Sequence, residues 1–349
     1  MAVTIIDVAK RAGVSKTTVS AVLCGKSGIK KETRDRVMEA IDELHYVPNF
    51  NARNFVRRRT NILGALVLTA DAGLPNYEFD RETGIYSKNV IDGIIERLAG
   101  TGYGLITEPY DPKSGKLPQM VRDSRIDGLF VIGSIRGNID FADMFGERQI
   151  PLVLLGTIDP GYDSFRVDIS RSVCIAVRRL IETGHRRVGL VNCSTQFSSS
   201  AERLAGYEKA VTEAGLAPDS RYVVYSESNT GLAGMHAAEE LFARVRPDAL
   251  VCANVSTTMG VMRYLYREKL RVPDDISVIG HEDSVVYGYA SPAITAVNIR
   301  KEEMGVRGAD VMLRRIAGDT EDFPLNCYME PYLVERESVA DAAKQKALW

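Results

Sequence analysis

Between Thr4 and Leu44 the apolar residues recur at helical spacing in three short bursts. The first predicts a helix capped by Thr4, with Ile5, Val8 and Ala9 on its inward face, and Gly13 stops it. Ser15 caps a second, Lys16 to Leu23, in which Val19, Val22 and Leu23 face inward. The third runs from Glu32 to Leu44, with Val37, Met38, Ile41 and Leu44 on one side. Two helices joined by a turn of about four residues, the second rich in short polar side chains, form the helix-turn-helix pattern.

Past residue 60 the period changes. Apolar runs of strand length (Ile62-Leu68, Gly104-Thr107, Gly128-Ile132, Leu152-Leu155, Val188-Val191, Ala249-Cys252, Ser277-Ile279) alternate with helical stretches. Those stretches lie near Lys88-Ala99, Ala201-Ala214, Leu232-Arg244 and Thr257-Lys269. Repeated strand-helix alternation implies parallel sheets with helices on both faces, and its length implies two such lobes. The expected fold is an all-α helix-turn-helix headpiece followed by an α/β core of two parallel-sheet lobes. The headpiece is assigned to 1–48, a basic connector to 49–60, the core to 61–340 and a tail to 341–349. Within the core, one lobe is expected from about 61–160 plus 293–322 and the other from about 161–292 plus 323–340.

Charge sharpens this division. The 349 residues carry a formal net charge of only −2. Residues 1–60, however, hold 12 Lys+Arg against 6 Asp+Glu, a net of +6, and the remainder holds 32 against 40, a net of −8. A basic module on an acidic body points to an anionic partner for the first sixty residues. The five cysteines are scattered, with no C-x-x-C pair and no metal-ligand spacing with the four histidines, which reads as reduced thiols in the cytoplasm. No signal segment or bilayer-length apolar run is present, so secretion and membrane insertion are not expected.

The string Thr4-Ile5-Ile6-Asp7-Val8-Ala9-Lys10-Arg11-Ala12-Gly13-Val14-Ser15-Lys16-Thr17-Thr18-Val19-Ser20 resembles the head of the lactose/galactose repressor (LacI/GalR) family of transcriptional regulators. Further strings resemble the same family in order. Tyr46-Val47-Pro48-Asn49 and Ala52-Arg53 look like its hinge, and Gly184-His185-Arg186-Arg187-Val188, Glu202-Arg203-Leu204-Ala205-Gly206-Tyr207, Cys252-Ala253-Asn254 and Val272-Pro273-Asp274-Asp275-Ile276 look like its core signatures. The resemblance implies a headpiece in the DNA major groove, a hinge helix in the minor groove and a core similar to periplasmic sugar-binding proteins. It also implies a homodimer on a palindromic operator in a bacterial cytoplasm, with no cofactor.

On that reading Thr4, Ser15, Lys16, Thr17, Thr18, Ser20, Ala21, Asn49, Ala52, Arg53 and Phe55 are the DNA-contacting candidates. Ser15 aims the positive end of the second helix at phosphate. Thr17 offers a hydroxyl or methyl to base edges, and Lys16 reaches guanine or phosphate. Thr18, Ser20 and Asn49 are assigned to backbone positioning. Ala21 stands where the family often has a large polar residue and contributes shape or a thymine contact. Phe55 stands where the family typically has Leu, as a wedge at the operator centre; the alternative is packing against the partner hinge or the core. Lys30 and His45 stand where Ser and Gly usually cap and end the third helix, at an expected cost in stability.

Ligands of parallel α/β lobes bind beyond the carboxyl ends of strands, which selects Asp71, Ser134, Cys193, Asn254 and Glu282. The resemblance separately supports Arg203, Asn254 and Glu282. An Arg with a carboxylate suits vicinal hydroxyls, and hence a sugar. Glu282 and His281 replace a usual Asp and a usual aromatic, so the ligand need not be a common hexose. Val255 and Ile169 replace a frequent Asp and Asn. The long stretch from Asp71 to Tyr86 supplies ligand contacts through residues such as Tyr77 and Phe79, or is a surface elaboration. An enzyme reading of Glu282 with Asp283 lacks a nucleophile motif, P-loop or metal spacing. An exported solute-binding protein has no use for a basic headpiece. Control by a protein partner, in place of a small molecule, stays open. The tail from Glu337 lacks a leucine heptad, so dimers without a tetramer-forming coil are expected.

Overall fold

The computed structural model describes residues 3–23, 28–46, 59–68, 85–112, 115–133, 150–195 and 197–344. The chain divides into two compact units, Met1–Asn61 and Ile62–Trp349. The first contains α1 (Ile5–Ala12), α2 (Lys16–Leu23) and α3 (Lys31–Glu43). Its core is Val8, Ala9, Ala12, Val19, Val22, Val37, Ala40 and Ile41, with Ile5, Leu23 and Leu44 packed against it. Met38, expected on the inward face, is instead 46% exposed. Ala40 takes the inward position, because a 3.6-residue turn that centres Val37 and Ile41 carries residue 38 round toward solvent.

The second unit is built on two six-stranded sheets. The first sheet uses β1 (Ile62–Leu68), β2 (Gly104–Tyr110), β3 (Gly128–Ile132), β4 (Leu152–Leu155), β5 (Asp163–Val167) and β11 (Asn326–Met329) in the order β11-β5-β4-β3-β1-β2, all neighbours parallel. The second uses β6 (Val188–Asn192), β7 (Val223–Tyr225), β8 (Ala249–Cys252), β9 (Ser277–His281), β10 (Thr295–Asn298) and β12 (Tyr332–Val334) in the order β12-β10-β9-β8-β6-β7. Here β12 alone runs antiparallel, against β10. The inner strands are buried on both faces and read as continuous apolar runs, as parallel sheets covered by helices must.

Sheet membership corrects the expected lobe boundaries. Asp163–Val167 and Asn326–Met329 belong to the first sheet, and Thr295–Asn298 to the second, so each crossover lies several residues beyond the expected breaks at 160, 292 and 322. The physical reason is that each crossover waits until a strand has finished pairing. The chain leaves β5 into α6 (Ile169–Glu182), leaves β10 into α11 (Lys301–Ile316), and passes from β11 to β12. All three crossovers start from carboxyl ends of strands, which sets the carboxyl edges of the two sheets toward each other. Helix α4 (Ile85–Leu98) packs on α11 over the first sheet, and α6 packs on α7 (Ser198–Glu213) over the second.

Candidate functional site

In the first unit, the Asp7 carboxylate accepts from the Thr4 backbone N–H at 2.8 Å and from its hydroxyl at 2.6 Å, fixing the start of α1. These bonds hold the Asp7 carboxyl below its ordinary range. Gly13, at φ 64°, takes the left-handed conformation that ends α1, and Val14 N–H returns to the Ala9 carbonyl at 3.0 Å. Ser15 then caps α2, its Oγ accepting from Thr18 N–H at 3.1 Å while lying 2.7 Å from Thr17 Oγ1 and 2.8 Å from Thr18 Oγ1. Lys16 and Thr17 are exposed on the first turn, and Thr18, Ser20 and Ala21 are half-buried along it. The first turn therefore presents a lysine and a hydroxyl at the positive end of the helix. Lys30 begins α3 with no side-chain cap, and His45 ends it at φ 48°. Asn49, Ala52, Arg53 and Phe55 lie outside the described residues.

In the second unit, the rule of strand ends places Cys193, Asn254 and Glu282 side by side, because β6, β8 and β9 are neighbours. Arg203, on the first turns of α7, reaches across them. Its Nη1 donates to Ser199 Oγ at 2.7 Å and to Cys193 Sγ at 3.2 Å, and its Nη2 lies 3.6 Å from Glu282 Oε1. The guanidinium is buried and the carboxylate nearly so, with side chains 5% and 17% exposed. Glu282 itself sits at φ 65°, a left-handed conformation unusual for Glu, which turns the chain off the end of β9. Asn254 caps α9 (Val255–Arg267), its Oδ1 accepting from Thr257 N–H at 2.9 Å. Among the described residues, its amide nitrogen has no partner, and neither has Arg203 Nε.

His281, the last residue of β9, is buried with its Nε2 2.6 Å from Ser172 Oγ on α6. Burial, then Arg203 and Lys301 nearby, hold it well below the ordinary histidine range, so it is neutral. Asp71, Tyr77, Phe79 and Ser134 lie outside the described residues.

The structure adds three residues that were not among the candidates from sequence: Arg166, Tyr86 and Lys301. Arg166, on β5 of the first sheet, forms an ion pair with Glu202 on α7 of the second lobe. Tyr86, on the first turn of α4, has its hydroxyl 3.7 Å from Met304 Sδ; burial, then the Glu282 charge, raise its pKa against an opposing effect of Arg166. Space for that hydroxyl exists because residue 156 at the end of β4 is glycine, where a Cβ would lie 2.8 Å from Tyr86 Oη. Lys301, at the start of α11 and only 2% exposed, donates to the carbonyls of Asp283 at 3.1 Å and Glu282 at 3.4 Å. The strand-end rule finds Arg166 only once β5 is recognised, and Asp-Ser-Phe-Arg-Val, polar or charged at three of its five positions, contains no apolar run to mark it. Lys301 and Tyr86 open helices, positions that carry no signal of their own.

The arrangement offers paired hydrogen-bond donors and acceptors between two lobes, and a separate helix end suited to DNA. Among the described residues, no helix is long and apolar enough to cross a membrane.

Comparison with known proteins agrees with both halves. A profile of bacterial regulatory proteins of the lacI family matches residues 4–49, and one of a periplasmic binding protein-like domain matches residues 177–339. The HTH-type transcriptional repressor PurR of Edwardsiella ictaluri is 33% identical over 346 residues, covering 97% of each chain. That of Klebsiella pneumoniae is 32% identical, again covering 97% of each. Among solved structures, the transcriptional regulator CelR in complex with cellobiose superposes with TM-score 0.68 at 30% identity, covering 96% of this chain and 99% of that one. The Lac repressor dimer bound to operator and an anti-inducer gives TM-score 0.80 at 22% identity over 97% and 100%, a likeness of fold. The chain therefore belongs to the lacI family of bacterial regulatory proteins, as a DNA-binding transcriptional repressor and not an enzyme.

Proposed function

We propose that this repressor binds a palindromic operator as a homodimer in the bacterial cytoplasm and that a sugar or sugar-like effector in the interlobe cleft controls its affinity. Carbohydrate-utilisation genes are the expected targets. The observation that carries the effector reading is the buried Arg203–Glu282 pair beyond the ends of β6 and β9, with Tyr86 and Arg166 contributed by the other lobe. A guanidinium beside a carboxylate can bind adjacent hydroxyls, donating to one oxygen and accepting from the next. The cellobiose named in the complex of the 30% identical CelR supports the same class. In the headpiece, Lys16 and Thr17 read base edges, while Thr4, Ser15, Thr18 and Ser20 hold the phosphate backbone. Asn49, Ala52 and Arg53 belong to the hinge.

Effector and operator affinities are linked reciprocally through two states of the dimer. Closing the cleft moves the lobes next to the hinges, and ligand-relieved repression is the expected sign. Selection of DNA from a random pool by the full chain, with and without candidate carbohydrates, tests this reading. It should return a two-fold symmetric site whose recovery falls when the effector is added. Asymmetric sites would reject the dimer, and recovery insensitive to every carbohydrate would reject the sugar effector.

A further inference from the structure

The three chain crossovers between the lobes are laced together by side chains, and Arg300 stands at the centre. It follows β10 and precedes α11 at φ 54°, a left-handed conformation that a residue with a Cβ keeps only where its surroundings hold it. Here they do. Its N–H donates to Asn298 Oδ1 at 2.7 Å, and its Nε donates at 2.6 Å to the carbonyl of Glu330, on the passage from β11 to β12. Its Nη1 bonds Glu303 of α11, which packs over the first sheet, while the guanidinium lies 4.8 Å over the ring of Tyr332 in β12 of the second. One side chain thus touches both lobes. The Glu330 carboxylate, 3.0 Å from Arg171 Nε on the first turn of α6, ties in the third crossover.

Lys301, the next residue, turns the other way. Buried, it donates to the carbonyls of Asp283 at 3.1 Å and Glu282 at 3.4 Å. That turn carries the Glu282 carboxylate to within 3.6 Å of Arg203 in the cleft. Arg300 and Lys301 share one planar peptide, so the first cannot swing without carrying the second. A rotation of the lobes that draws Arg300 away from Tyr332 or Glu303 therefore moves Lys301 and loosens its hold on Glu282.

We propose that Arg300 and Lys301 are positioning residues that couple the angle between the lobes to the placement of Glu282: Arg300 holds the angle, and Lys301 transmits it to the cleft. Neither touches DNA or ligand in doing so. This rests on the reading that lobe movement controls operator affinity, and the two measurements below fail separately.

Hydrogen exchange of the full chain, without DNA or ligand, tests the link. Arg300→Asn keeps a residue tolerant of the left-handed conformation and removes the guanidinium. Amides in 329–333 and 282–284 should exchange about fivefold faster or more, including that of Asp283, which donates to the Val297 carbonyl at 3.0 Å. Lys301→Met keeps a stem of similar length and removes the donor, and it should speed 282–284 while leaving 329–333 unchanged. A response to Arg300→Asn confined to 298–303 would assign Arg300 to its own turn and overturn the link. Unchanged exchange at 282–284 in Lys301→Met would overturn the transmission to Glu282.

Operator affinity tests the consequence, with a duplex recovered by the selection above as the probe. A hinge free to adopt other angles leaves a smaller fraction of the dimer competent, so Arg300→Asn should raise Kd about threefold or more. The first transition in urea unfolding, which reports the headpiece, should stay in place. Faster exchange at 282–284 with an unchanged Kd would keep the link and overturn control of the operator by lobe angle. A weakened operator complex accompanied by a shifted first transition would assign the loss to the headpiece and overturn that control as well.

Discussion

His45 shows how much one backbone angle can weigh. It ends α3 at φ 48°, and its neighbour Tyr46 returns an N–H to the Ile41 carbonyl at 3.0 Å, the geometry in which glycine is preferred. A left-handed conformation costs a residue with a Cβ about 1–2 kcal/mol. His45→Gly should therefore raise headpiece stability by up to about 1 kcal/mol, read as a shifted first transition in urea unfolding of the full chain. Glycine's greater freedom in the unfolded chain offsets the remainder. His281 makes a second prediction. Its folded pKa lies well below the ordinary value of 6.5, so below that pH the unfolded chain takes up a proton that the folded chain refuses. Stability must then fall as pH drops through that range and hold steady above it. His281→Gln, which keeps a polar group opposite Ser172, should flatten the fall in core melting temperature across about pH 8 to 5. An equally steep fall in the variant would show that another group sets it. Both residues were visible in the sequence as departures from a familiar pattern. That one is a strained cap and the other a neutral imidazole facing a serine emerges only from their surroundings.

Among the elements, helix α11 is held on the first lobe by absence of side chains as much as by their presence. A Cβ on Gly305 would lie 2.0 Å from the Val90 carbonyl oxygen of α4, and one on Gly93 of α4 would lie 2.0 Å from the Glu302 carbonyl oxygen. The two glycines let the backbones touch. Gly305→Ala should cost about 1–3 kcal/mol by forcing these helices apart, seen as a lower denaturation midpoint of the core with little change in headpiece unfolding. The far end of α11 is fixed by Arg315, whose Nε and Nη2 reach the buried Asp163 carboxylate at 2.8 and 2.9 Å. Gly206 plays the same part between α7 and α6, where its Cβ would lie 2.1 Å from the Ser170 carbonyl oxygen. The string Glu202-Arg203-Leu204-Ala205-Gly206-Tyr207 is thus one turn and a half with four tasks. Glu202 pairs with the opposite lobe, Arg203 enters the cleft, Gly206 allows close packing, and Tyr207 donates to the Val188 carbonyl at 2.8 Å. The sequence marked this string by likeness, and its spacing acquires a reason only when the helix is seated on its neighbours.

At the scale of the whole molecule, two units of opposite charge divide the labour of binding. The net +6 of residues 1–60 suits phosphate, while the net −8 of the rest disfavours adhesion of the core to DNA. The assigned wedge between these roles is Phe55, for which Phe55→Ala should weaken operator binding and reduce DNA bending by gel mobility or fluorescence energy transfer. An undiminished bend would assign Phe55 to packing instead. The Arg166–Glu202 pair joins the two lobes across the cleft, so a ligand that settles beside it is positioned to change how they close.

Periodicity by itself determined the three headpiece helices, most of the inner strands and the two-lobe plan, because burial on one helical face or in a covered parallel sheet leaves a repeat in the sequence. The charge division at residue 60 and the strand-end candidates Cys193, Asn254 and Glu282 were equally local. Tertiary structure alone decided which lobe owns β5, β10 and β11, since short strands are placed by the neighbours they pair with. It also brought Tyr86, Arg166 and Lys301 to residues far along the chain. Hydrogen bonds between distant residues depend on where the backbone returns, and no local spacing records that.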